Sequence, residues 1–196
     1  MHIRLVLLIL LLTPATSSAQ LFVRLGGGIT GSTPFSRDFI VEPFTARQST
    51  APSLNAVVGW QLSGDYRIGA ELRYAMGNWE VDDRDFVDDL GSLRTMTLGL
   101  FADGPLSGPF RWEAAVGTLR YQAEREVGVF SQGGGTPWIV GGGAAWHRQF
   151  GNRLALVASA RYDFHGFNTP RLDAEGYASN QSVHRLGLII ALERGF

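Results

Sequence analysis

Leu154-Ala-Leu-Val-Ala-Ser-Ala-Arg-Tyr-Asp-Phe164 reads as a single strand with two unlike faces. By the period of two that a strand imposes, Leu154, Leu156, Ala158, Ala160, Tyr162 and Phe164 fall on one side. Ala155, Val157, Ser159, Arg161 and Asp163 fall on the other. The first side is apolar throughout, and the second mixes small residues with a base and an acid. The division recurs in both directions along the chain. Leu186, Leu188, Ile190 and Leu192 alternate with Arg185, Gly187, Ala191 and Glu193. Trp138, Val140, Ala144 and Trp146 alternate with Ile139, Gly141, Ala145 and His147, and Phe110, Trp112, Ala114 and Val116 with Arg111, Glu113, Ala115 and Gly117. Ile68, Leu72, Tyr74 and Met76 oppose Arg67, Glu71 and Arg73, and Leu54, Val58, Trp60 and Leu62 oppose Asn55, Val57, Gly59 and Gln61. Leu21, Val23, Leu25 and Ile29 oppose Phe22 and Arg24. In the remaining segment, 93–102, either parity fits, and Thr95, Thr97 and Phe101 are assigned to the apolar side. Eight strands result.

The connections alternate in length. Short turns fall at 63–65, 103–109 and 151–152, and long polar connections at 31–52, 77–92, 122–136 and 165–182. Short turns at one end and long loops at the other are the habit of transmembrane barrels. A soluble barrel of this size would keep its apolar side within and its charges outside. Here the charged side has the small residues suited to a narrow interior, and the apolar side suits lipid. The expected fold is therefore all-β, an eight-stranded antiparallel up-and-down transmembrane β-barrel. Its interior is expected to hold a polar network of Arg24, Glu71, Arg73, Arg111, Glu113, Arg161, Asp163, Arg185 and Glu193, with His147 beside them. Trp60, Phe101, Phe110, Trp112, Trp146 and Phe196 are expected to form one aromatic girdle, and Tyr74, Trp138, Tyr162 and Phe164 the other.

The N-terminus sets an address. Arg4 precedes an unbroken apolar run at 5–12, and Ser17-Ser18-Ala19 places small residues where a signal peptidase reads. Residues 1–19 are expected to be a signal peptide cleaved after Ala19, leaving 20–196 as the barrel domain. The run is too short for a membrane-spanning helix, which needs roughly 20 apolar residues. No cysteine is present, so disulfides, thiolate metal sites and a lipoprotein anchor are excluded. The net charge of −1 carries no basic field for nucleic acid.

The C-terminal stretch Leu186-Gly-Leu188-Ile-Ile190-Ala-Leu192-Glu-Arg194-Gly-Phe196 resembles the insertion signal of bacterial outer-membrane barrels. The mature chain as a whole resembles the small OmpA/OmpX/OmpW-like barrels. That resemblance implies location in the bacterial outer membrane, contact with lipid and lipopolysaccharide, and recognition by the barrel-assembly machinery through Phe196, Leu192, Ile190 and Leu188. Arg194 departs from the pattern, which carries a hydrophobic residue there. No periplasmic peptidoglycan-binding domain is expected after Phe196.

Several constellations bear on chemistry. Gly26-Gly-Gly28-Ile-Thr-Gly31 satisfies a dinucleotide fingerprint in spacing, but a polar loop rather than a helix is expected to follow. Asp82, Asp83, Asp85, Asp88 and Asp89 form an acidic stretch with oxygen ligands but without EF-hand spacing, so it is taken as a solvated loop. Asp163, His165, Ser182 and His184 gather near the last loop and resemble in part the Ser/His/acid set of outer-membrane lipid A deacylases. Phe167 stands where that family has its serine, although Asn168 is kept. With the nucleophile position lost, His165 and His184 are taken as rim residues. The expected function is non-enzymatic and without a cofactor, an envelope-structural or surface-interaction role through the long loops. A lipid A or phospholipid hydrolase and a narrow pore are the alternatives.

Overall fold

The structure, a computed structural model, describes residues 19–34, 36–38, 44–83, 86–135, 137–151, 153–174 and 181–196. The expected signal peptide, apart from Ala19, and Asp85 of the acidic stretch lie outside the described residues. Among the described residues there are ten strands: β1 (Gln20–Ser32), β2 (Ser36–Asp38), β3 (Phe44–Gln48), β4 (Ala51–Gln61), β5 (Arg67–Asp83), β6 (Phe86–Ser107), β7 (Phe110–Ala123), β8 (Trp138–Phe150), β9 (Leu154–Phe167) and β10 (Gln181–Gly195). A short helix, α1 (Pro170–Ala174), lies between the last two.

Eight of these strands form a closed antiparallel ring. Each pairs with its neighbour in sequence order from β4 to β10, and β1 joins β4 on one side and β10 on the other. Closure leaves no strand edge in the ring, so every backbone donor and acceptor finds a partner without water, as hydrocarbon demands. Above the ring, at the long-loop end, β5 and β6 continue past a bulge at Asn78/Glu80 as a paired hairpin. β3 adds to the outer part of β5, from Phe44↔Asp83 to Gln48↔Trp79, and β2 adds to β3. The described residues of the 77–92 connection, 77–83 and 86–92, are thus a strand extension, because they pair across the hairpin rather than forming a solvated loop. At the other end β6 runs through Ser107 instead of turning at Asp103, and Gly108 with a positive φ makes the tight connection.

The outer face carries the apolar side of the alternation, with Leu54, Leu100, Ile190 and Leu25 each 60% or more exposed. In β6 the parity is the reverse of that expected from sequence. Leu98 and Leu100 point outward, while Thr95, Thr97 and Phe101 are buried within. Register decides this, since residues directly opposite share a face: Leu98 lies opposite Leu72, and Phe101 opposite Gly69. Phe101 therefore leaves the aromatic girdle. Trp60, Phe110 and Phe196 remain outward at the short-turn end, where Trp112 packs on Tyr66 at 6.4 Å. Trp138, Tyr162 and Phe164 are outward at the loop end.

A ring of eight strands curves tightly, so inner-face Cβ positions converge. Gly117 on β7 lies opposite Gly99 on β6. A Cβ built on Gly117 would come within 2.6 Å of the Gly99 Cα and 2.3 Å of the Leu98 carbonyl oxygen. Both contacts are with backbone, so only a shift of the strands would relieve them. Gly117→Val is expected to destabilise the barrel by about 1–3 kcal/mol, with a loss of the heat-resistant compact band on unboiled gels. An unchanged unfolding midpoint in urea would show that the sheet has room there.

Candidate functional site in the barrel interior

From the short-turn end upward, the interior is organised in three levels. The lowest is a network of charged and polar side chains contributed by seven of the eight ring strands, all but β4. Arg24 on β1 donates from Nε to Glu193 Oε2 at 3.0 Å, from Nη1 to Glu113 Oε1 at 2.6 Å and from Nη2 to Asp103 Oδ2 at 3.1 Å. Arg67 grips Asp103 with a two-pronged fork, Nε to Oδ1 at 2.8 Å and Nη2 to Oδ2 at 2.6 Å, and also pairs with Glu193. Arg111 donates twice to Asp103 Oδ1, at 3.1 and 2.8 Å, and to the Asp65 carbonyl oxygen in the first short turn. His147 Nε2 lies 3.0 Å from Glu193 Oε1, and Ser159 donates to Glu113 at 2.7 Å. Two rings complete the packing, with Arg24 over Phe101 at 5.1 Å and Arg67 over Phe22 at 5.2 Å.

Two residues outside the expected set, Arg67 and Asp103, hold the centre of this level. Asp103 is 1% exposed and accepts from three guanidinium groups. Asp103-Gly104-Pro105 has turn composition, which hides a buried strand residue. The only local signal is parity, since Asp103 is two residues from Phe101.

The second level spans the ring between opposite walls. Arg161 on β9 forks onto Glu71 on β5, both contacts at 2.8 Å, and its Nε donates to Asp163 at 3.0 Å. Arg73 Nη1 donates to Asp163 Oδ2 at 2.6 Å, and Asn55 to Glu71 at 2.8 Å. Arg185, higher on β10, reaches Thr95 and Gln48 but no carboxylate among the described residues.

The third level is apolar and has no counterpart in the sequence reading. Leu93, Leu119, Tyr121, Phe130, Phe167 and Val183, each at most 1% exposed, pack with Trp79 across the loop-end mouth. Phe130 comes from the short 3-10 turn Gly128–Phe130 of the β7–β8 loop and meets Trp79 edge-on at 4.9 Å. Such a cap leaves no alternation to detect, because its key ring is a loop residue. His165 belongs to this level rather than to the rim: it is 1% exposed, its Nδ1 donates to the Gly166 carbonyl oxygen at 2.9 Å, and Nε2 faces the Tyr121 hydroxyl at 3.1 Å.

The hydrolase constellation does not assemble. His184 lies on the outer face hydrogen-bonded to Tyr162, with the sheet between it and His165. Asp163 is engaged by two arginines, and Asn168 donates to Asp173 at 2.5 Å. The glycines from Gly26 to Gly31 lie within β1, Gly26, Gly27 and Gly28 paired on both sides and Gly31 with Leu186, so a strand and not a helix N-terminus holds them. Asp89 accepts from Asn78 and from the Gly91 N–H. Among the described residues no group of three His, Asp or Glu is placed to hold a metal ion. At the C-terminus, Phe196 is outward and its N–H donates to the Leu21 carbonyl at 2.8 Å. Leu188, Ile190 and Leu192 share that outward face.

Comparison with solved structures finds the same architecture. Ail, the attachment invasion locus protein of Yersinia pestis, in its complex with the heparin analogue sucrose octasulfate, superposes with a TM-score of 0.52 at 9% identity, covering 91% of this chain and 99% of that one. The outer membrane protein OprG from Pseudomonas aeruginosa gives 0.52 at 14% identity, covering 91% and 96%. No protein-family model and no curated protein sequence matches. The chain has the fold of these small outer-membrane barrels.

Removing one partner of a buried charge network leaves the others uncompensated, at a cost of about 3–5 kcal/mol. Asp103→Asn is expected to lower stability by that amount in urea unfolding of the detergent-held barrel. Adding Arg67→Met should recover part of it. A loss below 1 kcal/mol would mean that water screens the network.

Proposed function

We propose that this chain is an integral outer-membrane protein whose barrel acts as a filled, non-conducting anchor and whose outer loops carry its role at the cell surface. One observation bears most of the weight: the interior is occupied at successive levels by paired charges and then by a packed apolar cap. A pore would need a continuous polar path, and Phe130, Phe167 and Tyr121 interrupt it at the loop end. The lipid-facing side chains match an acyl environment, while the hairpin extension, β3 and α1 offer a structured surface above it. The Gly128–Phe130 turn and its cap fix one loop to the barrel, so that surface is held in place.

In this reading residues 1–19 direct export and are removed after Ala19, and Phe196, Leu192, Ile190 and Leu188 present the outward hydrophobic signal to the assembly machinery. The outer rim then meets lipopolysaccharide. No enzymatic step is assigned: His165 is buried inside the barrel, and His184 is hydrogen-bonded to Tyr162 on the outer face.

Two measurements test the function. Purified protein in planar bilayers is expected to give no single-channel steps, and steps that persist in several preparations would restore the pore. Lipid A from cells with and without the protein is expected to show the same acyl pattern in mass spectrometry, and a lost acyl chain would establish a hydrolase. For assembly, deletion of Phe196 is expected to reduce the folded outer-membrane fraction severalfold. Full insertion without it would remove the terminal residue from the signal.

A further inference from the structure

Among the described residues the barrel interior holds six arginines and five carboxylates, and the imbalance falls at one point. Arg24, Arg67 and Arg111 meet Asp103, Glu113 and Glu193, while Arg73 and Arg161 meet Glu71 and Asp163. Arg185 is 6% exposed and has no carboxylate partner. Its Nη2 donates to Thr95 Oγ1 at 3.0 Å and reaches Gln48 Oε1 at 3.4 Å. Its Nη1 is buried without any partner. Among the described residues the other titratable groups that face it are Tyr121, whose hydroxyl is a further hydrogen-bond partner of the guanidinium, and His165, neither of them a carboxylate.

Two further donors are orphaned nearby. Ser53 Oγ and Arg73 Nε are buried with no hydrogen-bond partner, and the latter lies 3.7 Å from Glu71. Ser53, Arg73 and Arg185 all line one inner cavity of about 20 Å³, together with Thr95 and Thr97. That is room for one particle of about the size of a water molecule. The wall offers guanidinium N–H groups and hydroxyls, a set that turns donors toward the space. A water molecule would satisfy hydrogen bonds but leave the guanidinium charge unbalanced, and an unpaired buried ion costs several kcal/mol. A small anion supplies both the acceptor and the charge.

We propose that this cavity, between the second charged level and the apolar cap, is a binding site for a single monatomic halide, chloride in ordinary media. A divalent oxyanion is too large for it, and a cation would be repelled by the guanidinium groups of Arg73 and Arg185 in its wall.

The folded, full-length mature barrel in detergent provides the test, with its heat-unfolding midpoint compared in sodium chloride and sodium gluconate at equal ionic strength. Chloride is expected to raise the midpoint by about 2–4 °C. The difference should vanish in Arg185→Gln, shrink in Ser53→Ala and persist in Arg120→Gln, an exposed arginine outside the cavity. Crystals of the unaltered protein grown in bromide are expected to show an anomalous peak between Arg185 Nη1 and Ser53 Oγ, and this decides the matter if Arg185→Gln does not fold. Equal midpoints in the two salts, or a cavity containing water alone in bromide-grown crystals, overturns the proposal.

Discussion

The narrowness of an eight-stranded ring governs everything inside it. Such a barrel is only wide enough for side chains to fill, so an arginine on one wall reaches a carboxylate on the wall opposite. Arg161 on β9 does this to Glu71 on β5, and Arg24 on β1 to Glu113 on β7. Each charge has lost most of its water, a penalty of several kcal/mol that only close, well-directed contacts offset. The forked geometry of Arg67 on Asp103 and of Arg161 on Glu71 is the kind that does so. The network therefore links strands that share no backbone hydrogen bonds, and it holds the cross-section of the ring.

Along its axis the barrel changes solvent logic. Its outer surface is apolar because lipid is the neighbour, and its interior is charged because the charges neutralise one another. At the loop end the interior becomes apolar again, where Trp79, Phe130 and Phe167 pack edge to face. That cap is an ordinary hydrophobic core in miniature, shielded from water above by the β5–β6 extension and its loops. Through Phe130 and Trp79 it fastens the β7–β8 loop and the base of the β5–β6 extension onto the wall of the ring. The surface displayed outside is thus coupled to the packing within.

Legibility varied with the contrast between faces. In β9 and β10 one face is largely aliphatic and aromatic and the other carries Arg161, Asp163, Arg185 and Glu193, so parity can be read from residue type alone. In β6 the inner Leu93, Thr95, Thr97 and Phe101 mix apolar and hydroxyl side chains while the outer face adds Arg94 to Met96, Leu98 and Leu100, so residue type does not separate the two. Only pairing with β5 and β7 sets which side is which, and with it the place of Asp103. Arg67 was visible as a residue of the polar side, but a strand-end position next to a turn gave no sign of its central role. His165 shows the converse difficulty: a polar residue near a loop reads as rim, yet its parity carries it inside.

What the sequence by itself determined is the material of the two faces, the number of ring strands and the alternation of short and long connections, because these follow from local period and composition. Tertiary structure alone decided which charges meet, where β6 faces, that Phe130 closes the mouth and that Arg185 is left without a carboxylate. The reason is physical. Those outcomes depend on distances across a closed ring, between residues tens of positions apart, and ring closure sets such distances only when every strand has found its register.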